Sequence, residues 1–176
     1  MAVYRSMDIG TTTPTAIERD EVPHHLVDLV DPSEEFTVSM FQAAALGVLE
    51  DLDRRRCRAV LVGGTGLHVR AVVDELDIPP RFPEVRADLE AEPDTAALHR
   101  RLAELDPEGA GRMEPTNRRR ILRALEVTLG AGRPFSFFGP GLGVYPPTPF
   151  VQVGIRMPRE ILDRRIGERY RRQMES

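Results

Sequence analysis

The chain has 176 residues, 41% of them hydrophobic and 30% charged, a globular rather than a disordered balance that fits one to two folded domains. No apolar run approaches the roughly 18 residues that cross a bilayer, and no signal-peptide pattern opens the sequence; a cytoplasmic protein with no membrane partner is expected. The lone Cys57 leaves no disulfide framework and no cysteine-based zinc cluster.

All 24 basic residues are Arg, and there is no Lys. A phosphate loop of the Walker type ends in Gly-Lys-Ser/Thr, so none lies within these residues. A coding bias toward Arg is the plain explanation of the composition. The formal net charge of −4 also conceals an asymmetry: residues 1–99 carry −10 and residues 100–176 carry +6. A basic half on an acidic chain points toward an anionic partner.

In chain order, His25 to Val30 reads as a short strand stopped by Asp31-Pro32. An amphipathic helix follows from about Thr37 to Arg56, with Phe41, Ala44, Ala45, Val48, Leu49 and Leu52 on one face and Thr37 or Ser39 as cap. Ala59 to Val62 reads as a second strand running into Gly63-Gly64-Thr65-Gly66, and a helix from Leu67 to about Val73 comes next. Strand, helix, strand, glycine turn, helix is the rhythm of a parallel α/β sheet. Beyond Pro79-Pro80 the pattern turns helical: Pro83 to Glu92, Ala96 to Leu105 with Leu98, Leu102 and Leu105 on one face, and Thr116 to Leu129 ended by Gly130 and Gly132. Residues 139–149 read as loop, Phe150 to Ile155 as a return to the sheet, and Pro158 as the opening of a last helix. The expected organisation is an α/β core from residues 1–80 and 146–176, interrupted by an all-helical insert, 81–145.

Three segments carry chemistry. The turn formed by Gly63, Gly64, Thr65 and Gly66 ends a parallel strand, where backbone N–H groups can meet an anion or a polar substrate edge; a tight turn without ligand is the alternative. In Arg118-Arg119-Arg120-Ile121-Leu122-Arg123, Arg119 and Arg123 share a helix face at i, i+4, flanked by Arg120, while Ile121 and Leu122 supply the buried side. Such a face can grip phosphates, or simply be solvated. Arg165, Arg169 and Arg172 stand at i, i+4 and i+7 on the last helix, a stripe suited to a departing pyrophosphate or, again, to water. His24 and His25 beside Asp28 and Asp31 lack the spacing of a metal motif.

Taken in order, these segments resemble the tRNA dimethylallyltransferases. Met1 to Thr11 resembles the segment after that family's catalytic aspartate, and Pro23 to Asp28 with Asp31-Pro32 resembles its next motif. Leu61 to Leu67 resembles its glycine turn, Arg119 to Val127 its tRNA-contacting helix, and Pro158-Arg159-Glu160 with Arg165-Ile166 and Arg169 the helix after its insert.

The resemblance implies a P-loop-kinase-like parallel sheet core with a helical insert that clasps the anticodon stem-loop. The reaction implied is transfer of a dimethylallyl group from dimethylallyl diphosphate, with Mg²⁺, to N6 of an adenosine beside the anticodon (position 37). Met1, Ala2, Thr65, Arg86, Arg119, Arg120, Ile121, Leu122 and Arg123 would contact tRNA, and Arg169 would steady the leaving pyrophosphate. A monomer is expected. Ser6 stands where the family usually has Gly. The family's nucleotide-binding (ATP-type) phosphate loop and its catalytic aspartate fall upstream of Met1, and Met174-Glu175-Ser176 falls inside a helix that the family continues. These residues alone are therefore expected to be an inactive fragment. The alternatives are a non-catalytic RNA-binding remnant and a prenyltransferase of the adenylate type, against which the helical insert and its Arg cluster argue.

Overall fold

The computed structural model describes residues 2–8, 11, 13–141 and 143–175. The chain divides into two compact units, residues 1–73 with 148–176 and residues 74–147.

The first unit holds α1 (Ala16–Glu21), α2 (Val38–Arg54), α3 (Gly66–Val73) and α8 (Arg159–Glu175). The short α1, absent from the sequence reading, is held by a capping box in which Thr15 and Glu18 satisfy each other's backbone N–H groups. Thr37 caps α2 by accepting from Met40 N. The expected stripe of α2 is its covered face, packed on α3, where Phe41 meets the His68 ring edge-on at 5.0 Å. Gln42 Nε2 donates to Ala71 O at 2.6 Å, and Thr148 Oγ1 donates to Val73 O at 2.8 Å. Among the described residues of this unit, Ala45, Ala71, Val72 and Val73 are the buried apolar ones.

The expected strands are not laddered. Among the described residues the β-structure is one parallel bridge, Tyr4 to Val30, flanked by Arg5 N donating to Val30 O at 2.9 Å and Leu29 N to Val3 O at 2.7 Å. Between His25 and Val30 the backbone turns left-handed at Leu26 (φ 63°) and Asp28 (φ 54°), which breaks the two-residue alternation a strand requires. Residues 59–62 and 150–155 take part in no strand pairing among the described residues. Val60, Val62, Val151, Val153 and Ile155 are each at least 85% exposed. A strand needs a neighbour to take its N–H and C=O groups, and the described residues set none beside these two segments.

The second unit is the helical one. It comprises α4 (Pro83–Glu90), α5 (Thr95–Leu105), α6 (Pro107–Gly111), α7 (Arg118–Ala131) and a 3-10 turn (Phe135–Phe138). Pro83 and Pro107 open their helices where an N–H would be unsatisfied anyway. α7 is the hub, packed on α4, on α5 and on the 3-10 turn. Its Ile121, Leu122, Ala124 and Leu125 join Leu89, Leu98, Leu102, Ala110 and Met113 in one core. Leu105, expected on the same face as Leu98 and Leu102, is 41% exposed because α5 ends there. Gly130 does not end α7, as expected, but lies inside it. A Cβ on Gly130 would stand 2.1 Å from Phe82 Cγ, so glycine there admits an aromatic ring against the helix backbone. Gly132, in the left-handed conformation at φ 66°, is the true stop.

Candidate nucleic-acid interface

α7 begins at Asn117, whose side chain accepts from Arg120 N at 3.2 Å. From there the basic run separates into two kinds of arginine. Arg118 turns along the protein surface and donates to the carbonyls of Glu90, Glu92 and Pro93, the nearest at 2.6 Å. It therefore closes the carbonyl end of α4. Arg119 and Arg120 are exposed, and among the described residues neither guanidinium enters an ion pair.

Arg123, which the spacing places beside Arg119, works inward. It donates to Glu126 Oε1 at 2.7 Å and to Pro79 O at 2.7 Å. Glu126, 5% exposed, also accepts from Phe82 N at 2.8 Å. Arg86 reaches the other oxygen of the same carboxylate at 4.0 Å and pairs with Glu90 at 2.6 Å. Two of the residues expected at tRNA thus meet on one buried acid. The 40° between Arg119 and Arg123 around the helix is enough to put one in solvent and the other at the margin of the core. Ile121 and Leu122 are buried, at 0% and 3% exposure; their side chains anchor the helix and are unavailable to a ligand.

Past Gly132 the chain makes the 3-10 turn. Asp106, 1% exposed, receives Ser136 N at 2.8 Å, Ser136 Oγ at 2.7 Å and Gly109 N at 2.8 Å. Burial pushes its carboxyl up, and the hydrogen bonds from Ser136 and Gly109, helped by Arg112, outweigh that and hold it below the ordinary value. Arg133 lies over the rings of Phe137 and Phe138, 4.5 and 4.3 Å from their centroids.

In the first unit, Thr65 O accepts from His68 N at 3.0 Å and Val69 N at 3.2 Å, so the glycine turn leads directly into α3, and Thr65 is exposed. Neither Gly63, Gly64 nor Gly66 has a positive φ, and a Cβ on Gly64 or Gly66 would meet nothing within 4 Å. The chain's own packing therefore places no demand for glycine there. Ala2 O accepts from Asp28 N at 2.9 Å. Met1 lies outside the described residues. Arg165, Arg169 and Arg172 stand exposed on α8.

The model of the IPP transferase family matches residues 2–176. The chain belongs to that family. Among its IPP transferase relatives is the tRNA dimethylallyltransferase of Kineococcus radiotolerans, 50% identical over 98% of this chain and 55% of the relative. The Thermobifida fusca enzyme of the same name is 47% identical over 100% of this chain and 56% of its own length. The chain thus spans about half the length of the relatives it matches. The crystal structure of the full-length tRNA isopentenylpyrophosphate transferase of Bacillus halodurans is similar at 38% identity and TM-score 0.58, over 99% of this chain and 55% of that one. A eukaryotic dimethylallyltransferase, captured acting on tRNA, is 27% identical with TM-score 0.65 over 76% of this chain and 34% of that one.

Three features of this IPP transferase chain escaped the sequence reading: the buried Glu126, the Asp106–Ser136 tie and the Arg133–Phe137 stack. Glu126 had a visible signal, as the single acid within the apolar stretch 121–128. Asp106 and Ser136 are 30 residues apart, and spacing alone does not pair them.

Among the described residues no group of three or more His, Cys, Asp or Glu side chains converges as a metal cage, and no helix is long and apolar enough to cross a membrane.

Proposed function

We propose that this chain serves tRNA prenylation: transfer of a dimethylallyl group from dimethylallyl diphosphate to N6 of the adenosine adjacent to the anticodon, position 37. The amine nitrogen forms a bond to the allylic carbon, the carbon–oxygen bond to the diphosphate breaks, and the amine gives up a proton. The observation that carries this reading is the pair Arg119 and Arg120, projecting from a helix whose other side is locked into a core. Such a rigid pair of guanidinium groups suits phosphates at a fixed spacing. The family match and the printed names of the relatives support the substrate class.

The second unit grips the anticodon stem-loop, and Thr65 with the glycine turn meets the edge of the target nucleotide. Arg169 takes up charge on the departing diphosphate. Mg²⁺ would accompany the diphosphate and help neutralise its charge. The exposed apolar residues of 59–62 and 150–155 support a P-loop-kinase-like sheet core to which these segments belong. We place the protein in the cytoplasm, acting as a monomer.

The absence of Lys favours a second reading, in which these 176 residues bind RNA and contribute no grip on the diphosphate. One experiment separates the two. The purified chain is titrated into a labelled anticodon stem-loop, then incubated with Mg²⁺ and radiolabelled dimethylallyl diphosphate. Label entering the loop adenosine, and lost in Arg169→Ala, supports the chemistry. Binding without transfer favours the RNA-binding reading, and no binding at all defeats both.

A further inference from the structure

The 3-10 turn is built with more care than its length requires. Pro134 fixes the entry, Gly132 and Gly139 take left-handed φ values of 66° and 128° on either side, and Ser136 is tied twice to the buried Asp106. Phe135 N donates to Thr128 Oγ1 at 3.1 Å, and the Phe135 ring packs on the core. The outcome of this anchoring is an outward Phe137, 64% exposed, with the Arg133 guanidinium over its ring and over that of Phe138. The two rings meet edge to face, their centroids 6.3 Å apart. A fixed turn that holds an aromatic face in water leaves unburied the surface that ordinarily repays such ordering.

The charge around the turn indicates what covers it. Residues 118–138 hold five Arg and one acid, the inward-facing Glu126, whereas the rest of the unit holds five Arg and twelve acids. No acidic residue occurs between Glu126 and Glu160. An exposed ring with a planar cation stacked on it, in a sequence stretch that carries no acid from residue 127 to 159, matches what takes an unpaired base next to its phosphate. We infer that Phe137 and Arg133 form a stacking platform for one unpaired nucleobase of the bound RNA. This rests on the RNA-binding reading above and adds a contact to single-stranded RNA that the Arg119–Arg120 pair, a phosphate grip, does not supply.

The test uses the whole chain and two RNAs of equal stem: a hairpin with an open loop, carrying 2-aminopurine at successive loop positions, and a blunt duplex. Wild type binds the hairpin and quenches 2-aminopurine at one position. Phe137→Ala abolishes that quench and weakens hairpin binding roughly 5- to 100-fold, leaves duplex affinity alone and keeps the thermal midpoint, since the ring is exposed. Phe137→Tyr restores the quench; Phe137→Leu, apolar but not aromatic, does not. Hairpin binding by Phe137→Leu equal to wild type overturns the platform. So does an equal loss on both RNAs, or a Phe137→Ala change confined to self-association in sedimentation, which would mark a protein contact. Wild-type hairpin binding that Phe137→Ala leaves intact removes the platform alone. Failure of wild type to bind either RNA removes the RNA-binding reading with it.

Discussion

The carboxylate of Glu126 stands 2.7 Å from the guanidinium of Arg123, three residues before it on α7, and holds that arginine to the interior margin of the helical unit. The same carboxylate receives the backbone N–H of Phe82, while Arg123 also closes the carbonyl of Pro79. One ion pair thus fastens the chain entering the unit to its central helix. Arg123→Ala leaves a buried carboxylate short of a partner and the Pro79 carbonyl open. The expected cost is about 1–3 kcal/mol of stability, read as a lowered urea midpoint with unchanged slope. Arg119→Ala, in solvent and unpaired, should stay within about 0.5 kcal/mol of wild type. Equal losses in the two variants would refute this division.

RNA affinity should divide the other way. Arg119→Ala and Arg120→Ala each remove one exposed cation, at a cost of about 1–3 kcal/mol in binding an anticodon stem-loop. Each should also reduce the slope of log affinity against log salt by about 1, because one fewer counterion is displaced. Titrations at four or five salt concentrations decide the point. A loss of affinity with the slope unchanged would mean these residues do not touch phosphate.

Gly130 offers a test of packing alone. Alanine ordinarily favours a helix interior by about 1 kcal/mol over glycine. Here the added methyl would stand 2.1 to 2.6 Å from three ring atoms of Phe82, so the ring would have to leave its seat against the helix backbone. Overpacking of this kind costs about 1–3 kcal/mol, so Gly130→Ala should destabilise despite its better propensity. Gly130→Ala in a Phe82→Ala background should recover the helix gain. If the single variant is instead more stable than wild type, the ring does not seat on Gly130.

The helical half of the fold was legible because its signals are local. The stripe of α2, the proline opening α4 and the apolar face of α7 are all set within a few residues, whereas the short α6 went unread. Residues 59–62 are an apolar run and residues 150–155 alternate, but a strand is completed by a neighbour and neither pattern says where that neighbour is. The arginine run was legible as a basic helix face and not as a division of labour. Arg118 and Arg123 are set apart from Arg119 and Arg120 by the carbonyls of Glu92 and Pro79 on distant segments and, for Arg123, by the buried Glu126 three residues on.

Asp106 supplies the pH dependence. It is buried, and its hydrogen bonds from Ser136 and Gly109 hold its carboxyl below the ordinary aspartate value. Because the folded pKa is the lower one, the stabilisation is complete above the unfolded value near 3.9 and is lost as pH falls through the folded value. Other carboxylates titrate over the same range, so the informative quantity is the difference from Asp106→Asn. The two carboxylate oxygens accept separately from Ser136 N and Gly109 N, so the amide keeps one acceptor oxygen but turns its NH₂ toward one of those N–H groups, at a cost of about 1–3 kcal/mol. The stability gap between wild type and Asp106→Asn should be constant from neutral pH down to about 5 and close progressively below about 4. Urea denaturation of both proteins at half-unit pH steps measures it. A gap that stays constant to pH 3, or widens on acidification, would show that Ser136 and Gly109 do not stabilise the ionised form.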